Sequence, residues 1–453
     1  MPLTDPKILK KLYNAFDPTP LHPDIPEEWN LYVDLQAVRG DSNILRDIGQ
    51  HIEWSDKPTC QLYAGHRGAG KSTELLRLKQ HLEQQEYVVV YFAADEGDID
   101  PEDARYTDIL LACTRQLIKH LNTTNSAPLG TWLKKCWTLL KDFSQTEINI
   151  ELAGQVEIEA AFTKLTATLR GSPSARKQIR DRLDPHTVDL LDALNEFIAE
   201  ASHSGIEATN LVLIVDNLDR IVPIYDEKKK KTNHEDIFID RVEQLTALNC
   251  HVIYTVPISL VYSEQGTLLK DRYENMGRLP MITVKERDSR EPFEAGLVVF
   301  LDLLEKRMQQ AAAEYGIKAV FGDEAVVREL CLLSGGHLRD LMKLLQGTLR
   351  HLPQFKDAEK AATRAVIRER EAYADAIDEE DWARLAVVYQ SQQILNEQDY
   401  RQLLFNRSVL EYQSASLDES KNSKWHDVHP LIVAIEQFKR AKEALEQLET
   451  KDE

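Results

Sequence analysis

One octapeptide constrains this chain more than any other feature: Gly65-His66-Arg67-Gly68-Ala69-Gly70-Lys71-Ser72, followed by Thr73. It matches the P-loop pattern GxxxxGK[ST] in full. Its context fits as well. Residues 61–64 read as a strand entering the loop, and residues 74–78 read as a helix leaving it. The chemistry requires this layout. Glycines let the backbone wrap an anion, successive N–H groups form a positive nest, and the helix N-terminus adds its dipole. Lys71 supplies a mobile charge for β- and γ-phosphates, and Ser72 offers a hydroxyl to Mg²⁺. Gly65, His66, Arg67, Gly68, Ala69, Gly70, Lys71, Ser72 and Thr73 are therefore the expected phosphate-binding set.

Around this loop, 453 residues leave room for about three domains. A hydrophobic content of 43% allows a sizeable core. The net charge of −20 argues against a broadly basic nucleic-acid coat, though not against a local patch. No apolar run reaches the ~18 residues of a membrane span, and the N-terminus carries no signal-like apolar core. Five cysteines (Cys60, Cys113, Cys136, Cys250, Cys331) are scattered and never in CxxC spacing, so they read as reduced thiols. A cytoplasmic protein is expected, without a membrane partner.

Five apolar or β-branched runs stand out, at 61–64, 88–94, 211–216, 252–256 and 279–284, with helical patterns between them. Strands alternating with helices point to a parallel sheet covered on both faces. A long interval separates the second and third runs. Within it, 108–121 and 174–201 have helical character. Alternation at 148–152 and 156–159 predicts a small hairpin, so a surface appendage is expected at about 122–205. After the fifth run, the pattern from 293 to 352 is helical and predicts a lid. Near Pro353 a further unit begins. Helices at 360–373, 381–393 and 397–405 precede strands at 408–412 and 425–428, joined by a polar loop. Three helices and a hairpin are the layout of a winged helix. Residues 434–453 read as a charged amphipathic helix.

The third run ends in Asp216-Asn217-Leu218-Asp219-Arg220. A carboxylate at a strand's C-terminal end sits where open α/β sheets bind ligands, so Asp216 reads as the Mg²⁺-holding Walker B acid. Asn217 follows it, and an amide is no base at neutral pH. Asp219 either activates the attacking water or caps the next helix. Thr255 ends the fourth run, where its hydroxyl touches γ-phosphate or lytic water, or simply favours a strand. In Ser334-Gly335-Gly336-His337-Leu338-Arg339, the glycines allow close backbone approach. Arg339 follows on a helix's first turn, as a γ-phosphate sensor or a salt-bridge partner.

Together these residues resemble the additional-strand P-loop ATPases of the AAA+/STAND group. Residues 216–220 look like the Walker B of KAP and NACHT-type ATPases. Residues 334–339 look like the sensor-2 region of origin-initiator and archaeal ATPases. The resemblance covers about 25–432, with specific motifs at 65–73, 210–220 and 334–341. It implies an α/β P-loop sheet of order 5-1-4-3-2, with a helical insertion, a helical lid and a C-terminal winged helix. The segments are 1–40, a core at 41–287, a lid at 288–353, a winged helix at 354–432 and a terminal helix at 433–453. The sequence departs from the pattern at Val38-Arg39-Gly40-Asp41, where the family's Gly-Arg pair is reversed. No membrane span, fused effector or repeat sensor is recognised, so a sensor or effector is expected on another chain.

The resemblance implies an ATPase that binds ATP and Mg²⁺ between core and lid, hydrolyses ATP slowly, and gates self-assembly or effector engagement by nucleotide state, in prokaryotic defence or signalling. The alternative is a DNA-loading ATPase of initiator or transposition type. Arg278, with Arg272, is expected just before the fifth strand, the usual place of an arginine finger in a homo-oligomer, or else as a surface arginine. Arg176, Arg180 and Arg182 are weaker finger candidates. Lys228–Lys231 reads as a solvated loop or a phosphate-backbone contact, and His426 and His429 as structural despite HxxH spacing. From 397 to 431 there are four Lys/Arg against six Asp/Glu. DNA affinity is largely phosphate neutralisation, so this charge favours a protein-contact or autoinhibitory role for the hairpin module.

Overall fold

A computed structural model of the protein describes residues 5–121, 126–139, 154–203, 207–414 and 423–452. Among them no helix is long and apolar enough to cross a membrane. The chain divides into two units that interleave along the sequence. The first comprises Met1–Asn43, Gly65–Glu74 and Arg278–Glu453, and the second Ile44–Ala64 and Leu75–Gly277.

The second unit is built on a parallel sheet. Its strands are β1 (Cys60–Gly65), β2 (Val88–Ala93), β3 (Leu211–Asp216), β4 (His251–Pro257) and β5 (Asn275–Leu279), in the order β2-β3-β4-β1-β5. The last residue of β1 and the last two of β5 belong to the first unit. β2 pairs parallel with β3, Val90 opposite Leu213, and β3 pairs parallel with β4, Leu213 opposite Val252. β3 and β4 are buried along their whole length, and β3 accordingly reads as an unbroken Leu/Val/Ile run up to Asp216 rather than an alternating one. Helix α1 (Lys71–Gln84) follows β1, and α2 (Tyr106–His120) follows β2.

Two expectations need correction here. The fifth strand spans Asn275–Leu279, not 279–284. Pro280 has no N–H to continue the ladder, and the apolar residues beyond it bond elsewhere. Met281 N–H donates to Glu411 O at 3.0 Å and Thr283 N–H to Val38 O at 2.9 Å, all within the first unit. Arg278 therefore lies inside β5, and Arg272 closes the helix Gly266–Arg272. Residues 156–159 are not a strand either. They open the helix Gln155–Gly171, which buries Ile158, Phe162, Leu165 and Leu169 along one face. Phe162 stacks on Trp132 with centroids 5.7 Å apart. The other half of that expected hairpin, 148–152, lies outside the described residues.

The insertion is welded on by charge as well as by packing. Helix α3 (Pro173–Leu183) carries Arg176 and Arg180, both 2% exposed. Arg176 pairs with Asp100 at 2.6 Å and Asp103 at 3.1 Å. Arg180 pairs with Asp103 at 2.8 Å and with Asp108 of α2. Arg176 and Arg180 are committed inside the unit, which corrects their reading as fingers, while Arg182 is half-buried on the same helix.

In the first unit, α4 (Glu294–Ala311), α5 (Glu324–Leu333), α6 (Leu338–Phe355) and α7 (Ala358–Ala376) enclose an apolar core. Phe300, Leu304, Leu330, Leu341 and Leu345 meet there with Leu9, Leu12 and Phe16 from the N-terminal segment. The helical turn continues through Pro353 to Phe355, beyond the boundary expected at that proline. Helices α8 (Asp381–Ser391) and α9 (Gln398–Phe405) then lead into β6 (Val409–Gln413), which pairs antiparallel with β7 (Lys424–Val428), Glu411 opposite His426.

Candidate functional site

The phosphate loop, residues 65–74, belongs to the first unit. Gly68 and Gly70 sit at φ +92° and +105°, a region costly for other residues. A Cβ on Gly68 would also lie 2.8 Å from the His337 ring. Lys71 is 5% exposed, and its ammonium donates to Gly65 O at 2.8 Å and His66 O at 2.9 Å. Ser72 and Thr73 are half-buried at the start of α1, where Thr73 Oγ1 accepts Leu21 N–H at 3.2 Å.

Residues from distant parts of the chain hold the loop backbone. Arg39 Nη2 donates to Ala69 O at 2.6 Å, with the Arg39 side chain buried. His337 Nε2 donates to Arg67 O at 2.8 Å, and Arg339 N–H to Gly68 O at 3.3 Å. An anion nest needs N–H groups turned inward and carbonyls outward. The carbonyls of 67, 68 and 69 are each held by a donor from outside the loop. The motif at 334–339 makes this possible. Gly336 has φ +79°, and a Cβ there would fall 1.8 Å from Ile282 O. That turn places His337 as the N-cap of α6, its Nδ1 accepting Asp340 N–H at 3.1 Å.

Asp340 then gathers the C-terminal elements. Its carboxylate accepts from Arg407 at 3.1 Å and from Tyr373 Oη at 3.2 Å, and faces His429 Nε2 at 3.4 Å. Burial alone would raise its pKa, yet His337, His429 and Arg407 hold it well below the usual carboxylate range. His66 is 2% exposed, and its Nε2 accepts Glu411 N–H at 2.9 Å. Burial, reinforced by His337 and Lys71, pushes its pKa well below the usual imidazole value.

In the second unit, Asp216 ends β3 and is almost fully buried. Its Oδ2 accepts Tyr91 Oη–H at 2.8 Å and its Oδ1 accepts Asn217 N–H at 2.7 Å. Hard carboxylate oxygens suit Mg²⁺, which takes one or two protein ligands and fills its shell with phosphate and water. Among the described residues no cluster of three or more His, Cys, Asp or Glu forms a metal cage. Asn217 adopts φ 65°, and its amide donates to Asp95 at 2.8 Å, while Arg220 pairs with the same carboxylate at 2.7 Å. Asp219 is 5% exposed in the turn Leu218–Arg220. Thr255 is buried, accepting Leu218 N–H at 3.0 Å and donating to Val215 O at 3.3 Å. Its hydroxyl thus braces the turn that carries Asp219.

Arg278 lies 3.4 Å from Glu411 and is 14% exposed, paired within its own chain. His426 faces Glu411 at 3.8 Å while His429 faces Asp340, so the HxxH pair serves two different carboxylates. Lys228–Lys231 sits at an exposed ribbon tip, where Lys229 and Lys231 pair with Asp236. Tyr91, Asp95 and Glu411 carry no site signal in the sequence, whereas Arg39 is marked by the reversed Arg-Gly pair at 39–40.

No protein-family model matches the chain. No curated protein matches it either. Among solved structures, it is similar to Cdc6p of Pyrobaculum aerophilum, with 12% identity, 95% of this chain and 98% of that chain covered, and a TM-score of 0.38. It is similar to the Aeropyrum pernix ORC1 protein in complex with DNA, with 12% identity, 93% and 97% covered, and a TM-score of 0.35. A Walker-type ATPase of Pyrococcus abyssi is also similar, with 13% identity, 92% and 98% covered, and a TM-score of 0.36.

Proposed function

We propose that this protein is a nucleotide-dependent switch that binds ATP with Mg²⁺ and hydrolyses it slowly. The observation that carries this reading is the phosphate loop itself. Its glycines adopt left-handed backbone, its carbonyls at 67–69 are held outward, and Lys71 waits on two of its own carbonyls. A γ-phosphate offers Lys71 a better partner than those carbonyls, because the ammonium then meets a full charge.

In this reading Ser72 and Asp216 hold the metal, which neutralises charge on the β- and γ-oxygens. Asp219 orients the attacking water, and Thr255 keeps its turn in place. Arg339 reads the γ-phosphate from the start of α6. The segment 354–432 is assigned as a winged helix whose position follows nucleotide state, with a second copy of the chain or a separate effector as partner. Phosphoryl transfer requires mostly positioning and charge stabilisation, so a slow rate suits a switch.

Lys71→Ala tests the assignment. ATP binding, followed by titration of a fluorescent ATP analogue with Mg²⁺, is expected to disappear. Unchanged affinity would remove the proposal. Hydrolysis measured with and without DNA at two salt concentrations separates the switch from a DNA-loading ATPase, which alone should show salt-sensitive stimulation.

A further inference from the structure

The second residue of the phosphate loop is a buried histidine whose role the loop pattern does not explain. Its Nε2 accepts a hydrogen bond from the backbone of Glu411, at the centre of β6 and 345 positions away. An imidazole nitrogen that accepts carries no proton, so the ring proton of the neutral form resides on Nδ1. Nδ1 is buried and has no hydrogen-bond partner among the described residues. Turning the ring over would exchange the two nitrogens and break the bond to Glu411. Protonating the ring would set a cation among Lys71, Arg407, His337 and His426. One tautomer in one orientation is therefore maintained.

Glu411 is itself anchored. Its carbonyl accepts Met281 N–H at 3.0 Å, and its carboxylate faces Arg278 at 3.4 Å and His426 at 3.8 Å. The hairpin cannot shift without disturbing the His66 contact, and residue 66 cannot turn without disturbing the hairpin. The neighbouring residues are tied in the same way, through Arg67 O, Gly68 O and Ala69 O.

From this arrangement we infer that His66 is a positioning residue: it couples the shape of the phosphate loop to docking of the β6–β7 hairpin. The inference rests on the ATP-binding reading and deepens it. The docked hairpin keeps residue 66 in the geometry that leaves the loop N–H groups open to phosphate. A bound phosphate then fixes the loop and tightens the hairpin. Coupling of this kind is reciprocal, and it needs only that the two states differ in their contacts.

Three variants and one exchange measurement test it. His66→Phe keeps a buried ring and removes the acceptor that Glu411 N–H uses. ATP affinity is expected to fall about tenfold. His66→Gln restores an acceptor and is expected to recover most of that loss. In the wild type, hydrogen exchange at the Glu411 amide should slow on adding ATP and Mg²⁺, and in His66→Phe it should not. Equal ATP affinity in wild type and His66→Phe, or Glu411 exchange indifferent to ATP in the wild type, would overturn the inference. Should His66→Phe fail to fold, His66→Gln and the wild-type exchange measurement still decide it. Lys71→Ala is the control: loss of binding there, with normal affinity in both His66 variants, retains the ATP reading and removes only the coupling.

Discussion

At the scale of single residues, the groups proposed to meet phosphate and metal are held by neighbours whose contacts the structure shows. Asp216 is oriented by Tyr91 and by the N–H of Asn217. Tyr91→Phe leaves the carboxylate but removes a donor that orients it, so the Mg²⁺ dependence of ATP binding is expected to weaken by a factor of about 5–10, one hydrogen bond to a charged group. Titrating Mg²⁺ at fixed ATP measures it. Asp219→Asn removes a carboxylate at constant shape and should keep ATP binding while lowering single-turnover hydrolysis by at least about tenfold. Normal hydrolysis in that variant would assign Asp219 to the turn alone. Arg278 gives the opposite expectation. Its guanidinium is paired with Glu411, so Arg278→Ala should loosen the hairpin in its own chain. Mixing it with Lys71→Ala should not rescue hydrolysis, whereas recovered activity in co-assembled samples would restore the finger role.

At the scale of elements, charge ties α3 to α2 and to the loop before it. Arg180 and Arg176 are buried against Asp100, Asp103 and Asp108. Burial raises the pKa of Asp108, an effect that Arg180 opposes, whereas Asp103 is held below the usual range by both arginines despite its own desolvation. Removing one partner of such a set leaves an uncompensated buried charge. Arg180→Ala should therefore destabilise the protein by about 3–5 kcal/mol in urea unfolding. Arg180→Met combined with Asp108→Leu should recover much of that loss, because apolar packing replaces the pair. A double variant as unstable as the single one would show that packing, not charge, sets the cost.

For the whole molecule, buried histidines set the pH response. His234 Nε2 donates to Ile221 O, His251 bridges Thr59 and Thr209, and burial pushes both down to about 4. The unfolded chain takes up protons below about 6.5, while the folded chain resists them down to about 4. Stability contributed by these groups is thus full above pH 6.5 and is lost as pH falls towards 4, on the order of 3 kcal/mol each at the acid end. The melting temperature should drop steeply over that window, and His251→Gln should flatten the slope. A melting temperature unchanged between pH 7 and 4.5 would contradict the assignment. The five cysteines are buried and unbridged, and burial raises every thiol, Cys136, Cys250 and Cys331 to about 12. The native protein should resist thiol reagents at neutral pH and react only on unfolding.

What could be read from the sequence was local in origin. The phosphate loop, the buried β3 and the acid at its end follow from residue types at short spacing, and so do most helices between 293 and 405. A glycine that must be left-handed or a strand buried on both faces leaves its mark within a few positions. Tertiary structure decided the rest. Pro280 ends β5 early because the next N–H groups find partners at Glu411 and Val38. Residues 156–159 alternate in sequence yet form a helix because Ile158 and Phe162 have a common apolar face to fill. Arg39 meets Ala69, Tyr91 meets Asp216 and Glu411 meets His66 across separations of 30, 125 and 345 residues. No periodicity encodes such pairings. They arise only when folding brings distant donors to buried acceptors that would otherwise stay unpaired.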